Sequence, residues 1–299
     1  MVKRLISANA SEILSMSAQE LKQSIKASEG RVILSENVAP RESFIGDITN
    51  SEIAGAFGAD LILLNGIDVL KPDIFAIGEY EGSFVDRLHD LVGRPIGVNL
   101  EPVDTSADMV EERAEIAVGR QANSETLKQI ETLGLDFVCF TGNPGTGVTN
   151  AAIIDTVKKA KEHYSGLIIA GKMHGAGVDE AVADLNVIKS LVEAGADIIL
   201  TPSIGTVPGF DKEDLKEAVK LAHQEGALVM TAIGTSQESS DPDTIKYMAL
   251  QNKICGVDIQ HIGDAGYGGV ATVENIFAMS KAIRGQRHTV SRVARSISR

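Results

Sequence analysis

The sequence has no tryptophan, and aromatic residues of all kinds make up 4% of its 299 positions. It has two cysteines, Cys139 and Cys255, so the sequence predicts neither a disulfide framework nor a cysteine-based zinc site. Its apolar runs, such as Leu61–Leu64 and Leu167–Ala170, are far shorter than the roughly 18 residues that a membrane-spanning helix needs. No apolar stretch of a signal peptide follows the first basic residues. These absences predict a cytoplasmic protein without a membrane partner.

Basic residues are also scarce, because 28 Lys and Arg stand against 41 Asp and Glu, for a formal net charge of −13. The last sixteen residues contain five arginines and no acidic residue, so the rest of the chain is more acidic still. Such a surface repels the phosphate backbone of nucleic acids, so we do not expect nucleic acid as a partner.

Short apolar runs alternate with longer helical patterns along the whole chain. The runs lack polar alternation, which is typical of strands that are covered on both faces. Ser17 to Glu20 and Thr49 to Glu52 form capping boxes, and Asp241 precedes a proline, so each marks a helix start. The eight predicted strands are Arg31–Leu34, Leu61–Leu64, Ile96–Leu100, Phe137–Phe140, Leu167–Ala170, Ile198–Leu200, Ala227–Met230 and Val257–Ile259.

A Gly-x-Asp triplet introduces every second strand. The four aspartates are Asp60, Asp136, Asp197 and Asp258. Eight strands in four similar pairs predict an α/β fold of the (β/α)₈ TIM-barrel type over residues 30–285. An open doubly wound sheet is the alternative, but no G-x-G-x-x-G follows the first strand. Because the four aspartates precede their strands, we place them at the bottom face of the barrel, away from the active site.

Three segments are additional to a minimal barrel. Residues 1–29 predict a helical extension that plugs the bottom of the barrel or packs on its side. Residues 105–122 lengthen the third loop and predict a polar lid or an interface helix. Residues 286–299 form a basic tail with an apolar helical stripe at Val290, Val293, Ala294 and Ile297. This stripe predicts that the tail docks on its own barrel or on a neighbouring subunit, and we expect a homo-oligomer.

Chemistry in a barrel of this kind takes place where strands end and βα loops begin. Lys172 is the one lysine at a predicted strand end. It would act as a Schiff-base nucleophile, as an electrostatic ligand, or as a structural partner of nearby carboxylates. The catalytic candidates are Lys172, His174, Glu101, Asp264 and His261. An alternative mechanism places Mg²⁺, the one cofactor considered, on Glu36, Glu101 and Asp264 to stabilise an enolate.

Glycine-rich loops follow three of the later strands. Backbone amides in such loops, with Thr and Ser hydroxyls beside them, are suited to bind a phosphate group. The predicted phosphate-binding residues are Gly205, Thr206, Gly234, Thr235, Ser236, Gly266, Gly268 and Gly269. The loop at residues 142–149 matches a P-loop except that Val148 replaces the lysine, so we do not predict a nucleotide site there.

With these loops, the chain resembles the phosphate-binding (β/α)₈-barrel superfamily over about residues 30–285. Its full length looks like an uncharacterised bacterial barrel family. Some members of that family carry the labels haloacid-dehalogenase-like hydrolase or phosphoenolpyruvate phosphonomutase by transfer. The chain has no D-x-D-x-T motif of the first class, and its Gly171-Lys172-Met173-His174-Gly175 lacks the cysteine of the Lys-Lys-Cys-Gly-His stretch of the second.

The resemblance and the loops together predict an enzyme. We expect a lyase or isomerase, with aldolase-like or enolate chemistry, that acts on a small phosphorylated metabolite. The alternative is a non-catalytic metabolite-binding or scaffold barrel. A hydrolase of the haloacid dehalogenase type is disfavoured because its nucleophile motif is missing.

Overall fold

The computed structural model describes residues 2–266 and 268–299, and its centre is a closed barrel of eight parallel strands. The strands pair in chain order, and β1 closes the barrel against β8. Their bounds are β1 Val32–Val38, β2 Leu61–Asn65, β3 Ile96–Leu100, β4 Phe137–Phe140, β5 Leu167–Gly171, β6 Ile198–Pro202, β7 Leu228–Ile233 and β8 Ile259–Ile262. The predicted α/β TIM barrel is confirmed.

Helices alternate with these strands and surround the barrel. Their bounds are α1 Ala10–Leu14, α2 Ala18–Lys26, α3 Asn50–Ala56, α4 Phe84–Val92, α5 Ser124–Thr132, α6 Asn150–Lys161, α7 Leu185–Ala194, α8 Lys212–Gln224, α9 Pro242–Ile254 and α10 Val273–Ala294. The predicted capping boxes at Ser17 and Thr49 are present, and Asp241 caps α9. Within the described residues, no helix is apolar over the length that crossing a membrane requires.

Two strands extend further than their apolar runs indicate, and this corrects the predicted positions of two polar residues. Glu36 lies inside β1 and His261 lies inside β8, whereas both were expected in the loops that follow. The ladder continues through them, because Leu34 pairs with His261 and Glu36 pairs with Leu63. Polar side chains are tolerated there because they point into the barrel, where they bond to each other.

Alternation along each strand separates two apolar cores. Side chains of one parity, such as Leu34 and Leu63, fill the barrel interior, and those of the other parity pack against the helices. The N-terminal segment joins the interior core through Leu5, Leu21 and Ile25. It therefore closes the barrel at the amino-terminal ends of the strands, as one of the two predicted arrangements requires.

The aspartates of the Gly-x-Asp triplets share one function. Each accepts a hydrogen bond from a backbone N–H of the preceding odd-numbered strand, at 2.7 to 3.2 Å. The pairs are Asp60 with Ile33, Asp136 with Ile96, Asp197 with Ile168 and Asp258 with Val229. Each aspartate also contacts one or two basic side chains: Asp60 contacts Arg284 and Arg292, Asp136 contacts His89, Asp197 contacts Lys22 and Lys161, and Asp258 contacts His223. The expected location at the bottom face is confirmed.

The C-terminal tail docks on its own barrel, but through a different face from the one predicted. Helix α10 breaks at Gly285, where φ is 69°, and its second half packs Arg292 against Asp60 and the carbonyl of Leu5. The apolar stripe is wrong as the docking face, because Val290 and Val293 are 48% and 41% exposed. Ion pairing to a buried carboxylate determines the orientation of the helix instead. The division into 1–29, 30–285 and 286–299 and the homo-oligomer stay predictions.

Candidate active site

A cavity of about 830 Å³ opens at the carboxy-terminal ends of the strands. Residues from β1, β2 and β3 and from the loops after β4, β5, β7 and β8 line it. Its polar wall includes Glu36, Asn65, Asn99, Glu111, Thr141, Asn143, His174, Thr235, Ser236, Glu238 and Asp264. This is the face at which (β/α)₈ enzymes carry their active sites.

Glu36 and His261 form a buried pair at the base of this cavity. Oε2 of Glu36 lies 2.7 Å from Nε2 of His261, and both side chains are almost fully buried. Burial raises the pKa of Glu36, and the hydrogen bond to His261 partly offsets that effect. Glu36 lines the cavity, whereas His261 lies behind it. A carboxylate with a raised pKa is suited to exchange protons with a ligand near neutral pH.

Two further carboxylates stand near this pair. Glu238, in the short helix Gln237–Ser239, accepts a hydrogen bond from the Gly266 amide at 2.8 Å. Burial raises the pKa of Glu238, and the neighbouring Asp264 adds to the effect. Asp264 itself accepts a hydrogen bond from Asn65 at 2.9 Å. The β1, β7 and β8 side of the cavity is therefore acidic.

Side-chain amides connect the carboxylates to the opposite wall. Asn65 and Asn143 exchange two hydrogen bonds, at 2.9 and 3.0 Å. Asn143 also binds Glu101 through its side chain at 2.9 Å and its backbone N–H at 2.8 Å. The other partner of Glu101 is Arg120, at 2.9 Å. Both side-chain oxygens of Glu101 thus have structural partners, and Glu101 does not line the cavity, although the sequence made it a catalytic candidate.

His174 lines the cavity as predicted, and its environment defines its protonation state. Burial lowers its pKa, and the ammonium of Lys172 lowers it further. The backbone N–H of Ala176 donates to its Nδ1 at 3.0 Å. Because Nδ1 accepts this bond, the proton of the neutral ring is on Nε2. His174 can therefore donate a hydrogen bond to a ligand oxygen.

Lys172 follows β5, but its side chain is on the helix-facing side of the barrel. Its ammonium donates to Oε2 of Glu180 at 2.9 Å, and the side chain is fully buried. Among the residues that the structure describes, neither Lys172 nor any other lysine or arginine lines the cavity. The geometry matches the structural partnership with a carboxylate that the sequence had left open.

The three predicted phosphate loops differ in position. Gly234, Thr235 and Ser236 line the cavity mouth, and their backbone N–H groups make no hydrogen bond within the described residues. Gly205 and Thr206 lie beside them: the side chain of Gln237 donates to the Gly205 carbonyl at 2.8 Å, and Thr235 donates to the Thr206 carbonyl at 3.2 Å. They do not line the cavity themselves.

The loop after β8 contributes less than predicted. Gly266 lines the cavity, but its N–H is bound to Glu238. The amides of Gly268 and Gly269 bond to the carbonyls of Ala265 and Asp264 in their own turn. Gly268 and Gly269 do not line the cavity, and their backbone N–H groups stabilise the turn in which they lie.

The proposed magnesium ligands are Glu36, Glu101 and Asp264. In the described part of the chain, no group of three or more His, Cys, Asp or Glu side chains is arranged to hold a metal ion. Both oxygens of Glu101 are bound to Asn143 and Arg120. Glu36, Glu101 and Asp264 therefore do not fit a bound magnesium ion.

Thr141 and Asn143 line the cavity, although the sequence did not predict them as site residues. Lys172 was predicted as a catalytic residue, but it does not line the cavity. Strand alternation gives the missing signal, because Phe137 and Cys139 point inward and Thr141 continues that parity. In β5 the interior residue Ile169 gives Lys172 the outward parity. The segment 105–122 contributes Val110 and Glu111 to the cavity wall. In place of the predicted interface helix, its helical part is the three-residue 3-10 helix Val118–Arg120.

A family model described as a domain of unknown function, DUF7916, matches residues 6–299. The chain belongs to this DUF7916 family. A search of curated protein sequences gave no match.

Solved structures share the fold of this DUF7916 chain at low sequence identity. An archaeal fructose-1,6-bisphosphate aldolase, with its catalytic Lys covalently bound to the carbinolamine intermediate of the substrate, is 14% identical, with 86% of this chain and 95% of that chain covered at a TM-score of 0.53. A chain of the BexX/CysO complex of Amycolatopsis orientalis is 13% identical. The match covers 87% of this chain and 91% of that chain, at a TM-score of 0.51. A 2,3-dimethylmalate lyase of the PEP mutase/isocitrate lyase superfamily is 11% identical. The match covers 85% of this chain and 81% of that chain, at a TM-score of 0.50. At these identities the structures share only the fold with this chain.

Proposed function

We propose that this chain is a lyase or isomerase that moves protons next to the carbonyl group of a small phosphorylated metabolite. The observation that carries the proposal is the joint presence of Glu36 and His174 in one cavity at the strand ends. One is a carboxyl group with a raised pKa, and the other is an imidazole whose pKa is lowered. A base and a neutral hydrogen-bond donor are the two groups that enolate chemistry needs.

In the proposed reaction, the Glu36 carboxylate removes a proton from the carbon beside the carbonyl group. The electron pair of that C–H bond forms the C=C bond of an enolate, and the carbonyl π pair moves onto oxygen. The Nε2–H of His174 donates a hydrogen bond to that oxygen. In a substrate with a hydroxyl group on the deprotonated carbon, the hydroxyl proton moves to the enolate oxygen and the hydroxyl oxygen forms the new C=O bond. The electron pair of the C=C bond then takes the proton back from Glu36 at the former carbonyl carbon, which completes an isomerisation. In a lyase, Glu36 removes the proton of a hydroxyl group β to the carbonyl, and cleavage of the C–C bond releases a second carbonyl compound and leaves an enolate. Glu36 then returns its proton to the enolate carbon.

A covalent route through lysine has less support. The aldolase with a similar fold holds its substrate on a catalytic Lys. In this chain no lysine lines the described cavity, and the Lys172 ammonium is paired with Glu180.

The phosphate group is assigned to the amides of Gly234, Thr235 and Ser236. Thr235 and Ser236 have φ of 56° and 67°, which turns this segment into a tight arc at the exposed mouth. Backbone N–H groups in such an arc bind anions. The carboxylates Glu36 and Glu238 would repel a phosphate deeper in the cavity, so the carbonyl end of the substrate enters first.

Deuterium exchange tests the chemistry even while the product is unidentified. A panel of small aldehyde and ketone phosphates is incubated with the protein in D₂O, and NMR follows loss of the proton beside the carbonyl group. We expect exchange with at least one panel member, and Glu36→Gln should slow it about 10²- to 10⁴-fold. Glu225→Gln, which removes an exposed carboxylate, is the control. Binding without exchange or turnover on any member would support the non-catalytic barrel instead.

A second pair of variants tests the phosphate assignment. Thr235→Asp places a negative charge at the arc and should weaken phosphate-ester binding at least tenfold, about 1.4 kcal/mol. Thr235→Asn is the matched control, because Asn tolerates the left-handed backbone and adds no charge. Equal affinity of both variants in calorimetry would remove the arc from the site.

A further inference from the structure

At the other end of the barrel, four arginines surround one carboxylate. The cluster consists of Arg94, Arg284, Arg292 and Arg295, with Asp60 as the carboxylate. Three of the four are buried, with exposures of 3%, 6% and 1% for Arg94, Arg284 and Arg292. Asp60 is fully buried and pairs with Arg284 and Arg292. Its single negative charge cannot balance the cluster.

Several N–H groups of the cluster have no partner in the described structure. Arg94 donates through Nε to the Ala59 carbonyl at 3.1 Å and through Nη1 to the Gly93 carbonyl at 2.9 Å, and no bond to its Nη2 is present among the described residues. Nη1 of Arg292 and Nε of Arg295 are buried and likewise unpaired within that part of the chain. The two terminal nitrogens of Arg295 each donate one hydrogen bond, to Oδ1 of Asn9 at 2.6 Å and to Oγ of Ser291 at 2.9 Å, and each has a second N–H group. A buried charged donor without an acceptor is strongly unfavourable.

Mutual repulsion adds to this imbalance. Burial lowers the pKa of Arg94 to about 9, and the guanidinium of Arg292 contributes. Two further carboxylates near the cluster already have partners. Glu52 accepts bonds from the backbone and hydroxyl of Thr49 at 3.0 and 2.8 Å, and Glu12, which interacts electrostatically with Arg295, is paired with Lys3 at 2.8 Å. At neutral pH the arginines therefore keep an excess of positive charge in a chain whose overall charge is negative.

A cavity of about 340 Å³ lies against this cluster. Helices α3 and α4 and the end of the tail enclose it, and the guanidinium-bearing residues Arg94 and Arg295 line it together with Glu52 and apolar residues such as Val92 and Ile297. It is close to the start of β3, whereas the candidate active site is at the strand ends. The two cavities are separate.

We infer that this lower cavity binds an oxyanion of the phosphate class, held by Arg94 and Arg295. The planar guanidinium group matches phosphate oxygens in pairs of hydrogen bonds. The bound anion supplies the missing negative charge and connects Arg94, next to β3, to Arg295 of the tail. It therefore stabilises the docked position of residues 286–299, independently of the proposed chemistry at the other end.

The test uses the full chain with inorganic phosphate, at ionic strength matched with sodium chloride. We expect phosphate to raise the melting temperature and to slow amide hydrogen exchange in residues 286–299. Arg295→Gln should weaken phosphate binding at least tenfold in calorimetry. Arg287→Gln is the control, because it removes the same charge from an exposed position of the tail. Arg94→Gln repeats the test from the other side of the cavity.

Other outcomes overturn the inference. Equal weakening by Arg287→Gln and Arg295→Gln would show general charge attraction. Loss of phosphate binding in Thr235→Asp, with full binding in Arg295→Gln, would place the ion at the active-site mouth only. No shift in melting temperature beyond that of chloride would show that no oxyanion binds. A parallel calorimetric titration with glycerol phosphate distinguishes the two possible ligands. Tighter binding of glycerol phosphate than of inorganic phosphate would assign the cavity to an organic phosphate.

Discussion

The buried ion pairs of Asp60 allow a comparison between variants that make the same backbone contact. In Asp60→Asn, the remaining side-chain oxygen can still accept the N–H of Ile33, which lies 2.8 Å from the aspartate. The variant loses the negative charge beside Arg284 and Arg292, whose side chains have no exposed surface. Removing one partner of a buried ion pair typically costs about 3–5 kcal/mol. We expect a loss of that size in the free energy of unfolding.

Asp258→Asn is the matched variant for this prediction. Asp258 makes the equivalent bond to the N–H of Val229 at 2.9 Å, but its cationic partner, His223, has a side chain that is 40% exposed. An exposed pair contributes about 0–1 kcal/mol, so this variant should lose roughly 1 kcal/mol. Urea unfolding followed by circular dichroism measures both. Both variants keep the backbone bond, so equal losses would refute the argument by showing that the burial of the cationic partners does not determine the effect.

Three further predictions concern the other basic residues. Borohydride with keto-phosphates should give no adduct on Lys172, because its ammonium is paired with Glu180 and Lys172 does not line the described cavity. An adduct on Lys172 in the mass spectrum would restore the Schiff-base route. The hydrogen bond to Asp258 raises the pKa of His223. The stabilisation from this pair is therefore present below the ordinary histidine pKa and is lost as the pH rises through the raised value. An NMR titration should show a lower pKa for His223 in Asp258→Asn than in the unchanged protein. Deletion of residues 286–299 should lower the melting temperature, because Asp60 loses one of its two arginines; an unchanged melting temperature and an unchanged particle mass would show that the tail is a free appendage.

The fold could be predicted from the sequence because its signals are local and repeated. Each strand is a short apolar run, and a helix cap or a Gly-x-Asp triplet marks the boundaries between units. Strand ends were less well defined: β1 and β8 continue through Glu36 and His261, since two polar side chains satisfy each other inside the barrel. Such a pairing joins residues 225 positions apart, and local patterns do not contain it.

Part of the site could also be predicted from local signals. His174, Thr235 and Asp264 lie in the loops that follow β5, β7 and β8, and they line the cavity. Glu101 has the right position, but Arg120 and Asn143 consume its oxygens, and no sequence pattern announces those contacts. The tail shows the same limit, because its buried arginine, rather than its aliphatic stripe, determines the docking face.

The four Gly-x-Asp contacts also have a consequence for the order of folding. Their bonds join residues 27, 40, 29 and 29 positions apart, so each can form within one quarter of the chain at a modest cost in loop-closure entropy. The bond between Arg284 and Asp60 spans 224 positions. During synthesis the quarters can therefore form in succession as they leave the ribosome, whereas sealing of the first quarter waits for the last residues of the chain. We expect a nascent chain that ends before Arg284 to hold its secondary structure while its first quarter remains open to chaperones and proteases.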